Sequence, residues 1–143
     1  MAGSAQQKAF PGFKLDLSSG VPVYRQIIDQ VTGGMAAGFL KPGDQLPTVR
    51  QLAVDLAVNP NTVVRAYREL EIRGILETQQ GTGTFIGNQK PDAAAPLERQ
   101  RLLNQLASEF VAKAGAAGYT VPELIAQLQD LNADNSVSKK GKR

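Results

Sequence analysis

Asn61, Arg65 and Arg68 stand at i, i+4 and i+7, so on a helix they form one stripe. An asparagine amide pairs with adenine through two hydrogen bonds, and a guanidinium forks onto guanine. A valine such as Val64 offers its methyls to thymine. Thr62 and Arg50 suit phosphate oxygens, which position a protein on a duplex without reading it. This is the chemistry of DNA reading rather than of catalysis. Among 143 residues there is no Cys and no His. Thiol nucleophiles, imidazole bases, disulfides and Cys/His metal centres are therefore excluded. No paired acid and base, phosphate loop or dinucleotide motif is present. The expectation is a protein that is no enzyme and holds no cofactor and no metal.

A polar stripe alone also describes a solvated helix face, so the surrounding elements decide. After a polar stretch, 1–20, read as a frayed arm, Pro22 suits a first helical turn. Tyr24, Ile27, Ile28, Val31 and Met35 then follow helical spacing up to Gly38. Gly33-Gly34 inside that helix is a weak point. Phe39 can fold back over the helix end, and Pro42-Gly43-Asp44 is a turn. Thr48 with Gln51 is a capping box opening a second helix, with Leu52, Ala53 and Leu56 inward and Val58 at its close. Asn59 as N-cap and Pro60 at the first position open a third helix. Its inward face is Val63, Ala66, Tyr67 and Leu70, and Gly74 stops it. Residues 75–78 and 84–86, joined by Gln80-Gly81-Thr82-Gly83, read as a hairpin.

Two helices joined across 56–60, preceded by a third and followed by a hairpin, are in the order of a winged helix-turn-helix. In that motif the second helix of the pair enters the major groove with its N-terminal residues on the base edges. Helix N-termini at Thr48 and Asn59 add backbone donors for anions. The small residues of the wing tip permit close approach to DNA.

These residues carry a family resemblance. Leu46-Pro-Thr-Val-Arg50-Gln-Leu-Ala, Asn61-Thr-Val63, Tyr67-Arg-Glu-Leu70, Arg73-Gly-Ile-Leu76 and Gly81-Thr-Gly-Thr-Phe85 resemble the GntR family of bacterial transcriptional regulators. Pro22-Val-Tyr24-Arg-Gln-Ile27, Gly38-Phe-Leu40-Lys-Pro-Gly-Asp44 and Val58-Asn-Pro-Asn61-Thr62 narrow it to the YtrA-like subfamily. The resemblance covers residues 13–87. It implies double-stranded DNA as partner and DNA contacts by Arg50, the opening of the third helix and the Gly-rich wing. The expected interface is Thr48, Arg50, Asn59, Asn61, Thr62, Val64, Arg65, Arg68, Gln80, Gly81, Thr82 and Gly83. Many members carry Ser-Arg in place of Asn59-Pro60 and Arg in place of Val64, which shifts part of the base reading to Arg65. Members commonly repress transporter operons.

The remainder is short. Residues 89–95 read as a linker, followed by two amphipathic helices over 96–131 and a disordered basic tail, 132–143. Leu102, Leu106 and Phe110 on one helix, with Leu124, Ile125, Leu128 and Leu131 on the next, offer more apolar surface than two helices hide alone. Thr120 and Glu123 make a further capping box. Two helices do not enclose a metabolite-sized pocket within one chain, so 96–131 is expected to be a dimerisation arm, as the resemblance also implies. The expected fold class is mainly α: an N-terminal winged helix-turn-helix over 13–88, three helices plus a β-hairpin wing, after a flexible arm, 1–12, and before the two-helix dimerisation arm.

Charge placement adds little. The net charge is +3, yet residues 11–89 balance seven basic groups against seven acids. Arg50 pairing with Asp55 or Asp44, and Arg73 serving its own helix C-terminus, are the structural readings of those two side chains. Tyr67 reads as core with its hydroxyl at the rim. The absence of Cys, of any apolar run near the ~20 residues of a membrane span and of a signal-peptide core in the opening residues fits a cytoplasmic protein without a membrane partner, and the resemblance implies a bacterial one. The expected function is a dimeric repressor on a palindromic operator, with its effector unknown. The alternatives are a winged-helix module binding another protein, and a regulator gated by a ligand at the dimer interface.

Overall fold

The computed structural model describes residue 10, residues 12–88 and residues 95–133. The chain divides into two compact units, 1–89 and 90–143, termed here the head and the arm. The expected linker, apart from Ala95, and the tail from residue 134 onward lie outside the described residues.

In the head, α1 (Val23–Ala37), α2 (Val49–Leu56) and α3 (Pro60–Ile72) surround one core, with β1 (Gln45–Leu46), β2 (Leu76–Gln79) and β3 (Gly83–Ile86) beside them. Ile27, Ile28, Val31, Leu52, Val63, Leu70 and Ile86 are fully buried. Each contributes about 1.5–3 kcal/mol of apolar transfer energy. The expected inward faces of all three helices are therefore the observed ones. α1 ends at Gly38 in the left-handed conformation, φ 88°. The Phe39 N–H closes the cap on the Gly34 carbonyl at 2.8 Å.

Four local readings need correction. The stretch 1–20, read as frayed, is pinned where it is described. Gln26 accepts from the Asp16 N–H at 2.9 Å and donates to the Asp16 and Val21 carbonyls, and Gln30 grips both backbone groups of Lys14. Phe10, placed in the flexible arm, packs on the core edge-to-face with Phe13. The Ser18 hydroxyl and N–H both donate to the Asp16 carboxylate and hold its pKa below the usual value. Second, α2 stops at Leu56 rather than Val58, because Ala57 turns left-handed at φ 57° and the Val58 N–H closes on the Ala53 carbonyl. Third, the wing is part of a three-stranded antiparallel sheet in the order β1-β3-β2, not a lone hairpin. Gly83 is the first residue of β3, opposite Gln79, so the turn is one residue shorter than expected. Fourth, Gly34 is no mere weak point: it is buried, and an added Cβ would stand 3.0 Å from Leu40.

The arm consists of α4 (Pro96–Ala116) and α5 (Val121–Leu131), on which Ala114 and Leu124 are half-buried. The expected Thr120–Glu123 capping box forms. The Thr120 backbone and side-chain donors hold the Glu123 carboxyl below its usual pKa. Neither helix has a single buried residue. Beyond α5 the Asn132 N–H still bonds the Gln129 carbonyl and Ala133 is buried. Asn132 and Ala133 therefore belong to the ordered part of the arm, although the expected tail starts at residue 132. No helix among the described residues is long and apolar enough to cross a membrane.

Candidate nucleic-acid interface

The reading helix α3 starts as its sequence dictates. The Asn59 side-chain oxygen accepts the Asn61 N–H at 2.8 Å, and Pro60 occupies a position where no N–H is needed. That capping role ties up the oxygen of Asn59, one of the expected DNA contacts, although the residue stays exposed. Asn61, Val64, Arg65 and Arg68 do share one surface, a shallow open concavity completed by Glu69 and Ile72. Val64 is half-buried there, whereas Asn61, Arg65 and Arg68 are exposed; Thr62, also half-buried, is not part of its lining. Ile72, 76% exposed, is an apolar member of this surface that sequence reasoning missed. Its place one helical turn beyond Arg68 was the available signal.

Arg73 is bridged to Glu69 at 3.0 Å. The acid one turn beyond Arg65 is thereby engaged elsewhere. The Arg65 guanidinium instead lies over the ring of Tyr24 in α1, 3.7 Å from the ring centroid. Nothing in the sequence pattern of α3 announced that contact, because it joins two helices.

The N-terminus of α2 carries the expected capping box, with the Thr48 hydroxyl accepting the Gln51 N–H at 3.0 Å. Arg50 is exposed and forms no ion pair with Asp44 or Asp55. Two side chains fix this end of α2 relative to the other elements. The Tyr67 hydroxyl donates to the Pro47 carbonyl at 2.7 Å, tying α3 to the residue before the α2 cap. Burial pushes the Tyr67 pKa well above that of a free phenol, so it stays a donor at any physiological pH. Gln45 in β1 donates to the Thr82 carbonyl at 3.1 Å, tying the wing turn to the same strand. β1 and Pro47 thus form a hub from which the wing, the α2 N-terminus and α3 are held in fixed relation. The wing turn itself presents Gln80, Gly81 and Thr82 to solvent. Gly83 is committed to structure: at φ 137°, a Cβ there would lie 2.5 Å from the Gln45 amide nitrogen.

The expected contacts thus fall on three exposed patches: the Asn61–Arg68 stripe, the α2 N-terminus with Arg50, and the wing turn. Among the described residues no group of three or more acidic side chains is placed to hold a metal ion.

Comparison with known proteins agrees with this geometry. Residues 23–86 match the family described as bacterial regulatory proteins, gntR family. The HTH-type transcriptional repressor YtrA of Bacillus subtilis (strain 168) is 37% identical over 127 residues, spanning 89% of this chain and 97% of its own length. A transcriptional antiterminator from Listeria monocytogenes EGD-e superposes with a TM-score of 0.59 at 31% identity, covering 85% of this chain and 90% of that one. YtrA from Sulfolobus acidocaldarius, a GntR-family transcription factor, superposes with a TM-score of 0.50 at 37% identity, over 66% of this chain and 97% of that one.

Proposed function

The chain belongs to the gntR family of bacterial regulatory proteins, in its YtrA-like branch, and is a DNA-binding transcriptional regulator; on that premise we propose that it is a dimeric repressor acting on a two-fold symmetric operator. The observation that carries the dimer is the arm. Leu102, Leu106 and Phe110 of α4 and Ile125, Leu128 and Leu131 of α5 are each 45–55% exposed. So many large apolar side chains left in water on two neighbouring helices point to an interface. A second copy of the arm buries them, and a dimer presents two α3 helices to successive turns of a duplex, roughly 34 Å apart or a multiple of that. Repression is supported by the likeness to a transcriptional repressor over nearly the whole chain, and a transporter operon as its target is what the family resemblance implies.

Within each head, Asn61, Arg65 and Arg68 read base edges with Val64, while Arg50, Thr62 and the wing turn hold phosphates. The test is binding to genomic fragments that the protein itself selects, measured across salt concentrations. Counterion release gives a log–log slope of about −0.9 per phosphate neutralised. A flat salt response, or affinity no greater than for random duplex, overturns the reading.

A further inference from the structure

We infer that Tyr24 is a positioning residue for DNA reading: its ring is the platform that holds the Arg65 guanidinium at the edge of the recognition surface. The inference rests on the reading above that this face of α3 meets base edges.

A free arginine side chain samples many rotamers and must be ordered when it binds. Arg65 is confined already. Its guanidinium lies 3.7 Å over the Tyr24 ring centroid, and the ring is itself half-buried against the head core. α1 therefore anchors a side chain that α3 supplies. Among the described residues no acid is ion-paired with it. Glu69, one turn along α3, is bridged to Arg73, and Asp29, one turn from Arg25 on α1, is bridged to Arg25. Among the described residues no hydrogen bond or ion pair engages the N–H edge of that guanidinium. That edge is what forks onto guanine O6 and N7, and a cation over an aromatic face keeps its in-plane donors. Tyr24 touches no DNA in this account and acts through Arg65.

The experiment is a double-mutant cycle in the full-length protein, read as affinity for a duplex that the wild type selects from a random pool and for its scrambled counterpart. Tyr24→Phe keeps the ring face and is expected to bind the selected duplex as wild type does. Tyr24→Leu removes the platform and is expected to lose roughly two- to fivefold on the selected duplex, the worth of an exposed cation–ring contact, with little change on the scrambled one. In an Arg65→Ala background, Tyr24→Leu is expected to cost nothing further. An equal cost in both backgrounds overturns the positioning role while leaving the base-reading face intact. Loss of the same size on both duplexes overturns it too. If Arg65→Ala alone leaves the selected duplex unaffected, the reading of the face fails first, and the two failures are thereby told apart. Should Tyr24→Leu fold poorly, phenylalanine with increasing ring fluorination at position 24 keeps the shape and weakens the cation attraction. Affinity that falls stepwise with fluorination supports the platform, and affinity indifferent to it overturns the inference.

Discussion

The head and the arm are both helical, both begin a helix with a Thr-based capping box, and yet only one of them has a core. α1, α2 and α3 bury residues at helical spacing against each other and against Leu46, Leu76 and Ile86 of the sheet. α4 and α5 bury none, although each carries apolar residues at helical spacing, with a clear apolar face on α5 and a weaker one on α4. Amphipathic periodicity thus states that a helix needs a partner without saying whether the same chain supplies it. In the head, turns at Gly38, Ala57 and Gly74 fold the stripes inward within some fifty residues. In the arm a single turn joins two helices of unequal length, and among the described residues the greater part of each stripe stays exposed.

The largest effect that would break this contrast is removal of the arm. Deleting residues 97–143 is expected to leave a folded monomeric head whose operator affinity falls by roughly 10²–10⁴, the avidity lost when two reading heads are no longer tethered. Phe110→Glu, which places a charge in the middle of the α4 stripe, is expected to do much the same with the chain intact. Sedimentation at micromolar concentration checks both. A monomeric wild type, or a truncated chain that still dimerises, overturns the assignment of the arm.

Next in size are substitutions on the head surface. Arg65→Ala is expected to cost roughly 1–3 kcal/mol on the operator and to relax specificity at one base pair, and Asn61→Ala to behave alike. Arg50→Ala is expected to weaken every duplex by a similar factor, because a phosphate contact carries no sequence. Equal losses on all sequences for Arg65→Ala would reverse these roles. At the wing, Gly83 is unsuited to such a test: its positive φ and the nearby Gln45 make any side chain there a structural change. Thr82→Asp is the cleaner probe. Its added charge beside a phosphate is expected to cost on the order of 1 kcal/mol, and unchanged affinity in a folded variant removes the wing from the interface.

The legibility of the molecule follows the same division. Elements specified by neighbours in sequence could be read directly: the Asn59-Pro60 start of α3, the capping boxes at Thr48 and Thr120, and the Gly38 stop each act within four residues. The inward faces could also be read, since burial follows periodicity. What escaped depends on partners distant along the chain. β1 is two residues long, and only its pairing with β3 makes it a strand. The grip of Gln26 and Gln30 on residues 14–21 gives no hydrophobic signal. The Tyr24–Arg65 stack joins the first turn of α1 to the middle of α3. The stripe of candidate DNA contacts was legible as a stripe. The hub of Gln45, Pro47 and Tyr67 that sets its angle to α2 and the wing was not.

The smallest expected effect sharpens the contrast inside a single helix. Gly33 and Gly34 are adjacent in α1, and helix propensity alone favours alanine over glycine at both by about 1 kcal/mol. Gly33 is exposed, and a Cβ there would meet nothing within 4 Å. Gly33→Ala is therefore expected to stabilise the head by about 0.4–1 kcal/mol, partly by restricting the unfolded chain. Gly34 faces the core, where a Cβ would stand 3.0 Å from Leu40 Cδ1 and 3.3 Å from the Phe10 ring. Overpacking of that kind costs roughly 1–3 kcal/mol and outweighs the propensity gain, so Gly34→Ala is expected to destabilise by about 1 kcal/mol. Thermal unfolding separates the two, because 1 kcal/mol moves the midpoint of a domain this size by roughly 4–8 °C. Opposite shifts mean that packing rather than propensity rules the inward face of the head, as it has no occasion to do in the unpartnered arm. Shifts of the same sign would place the Leu40 and Phe10 contacts below helix propensity in that balance.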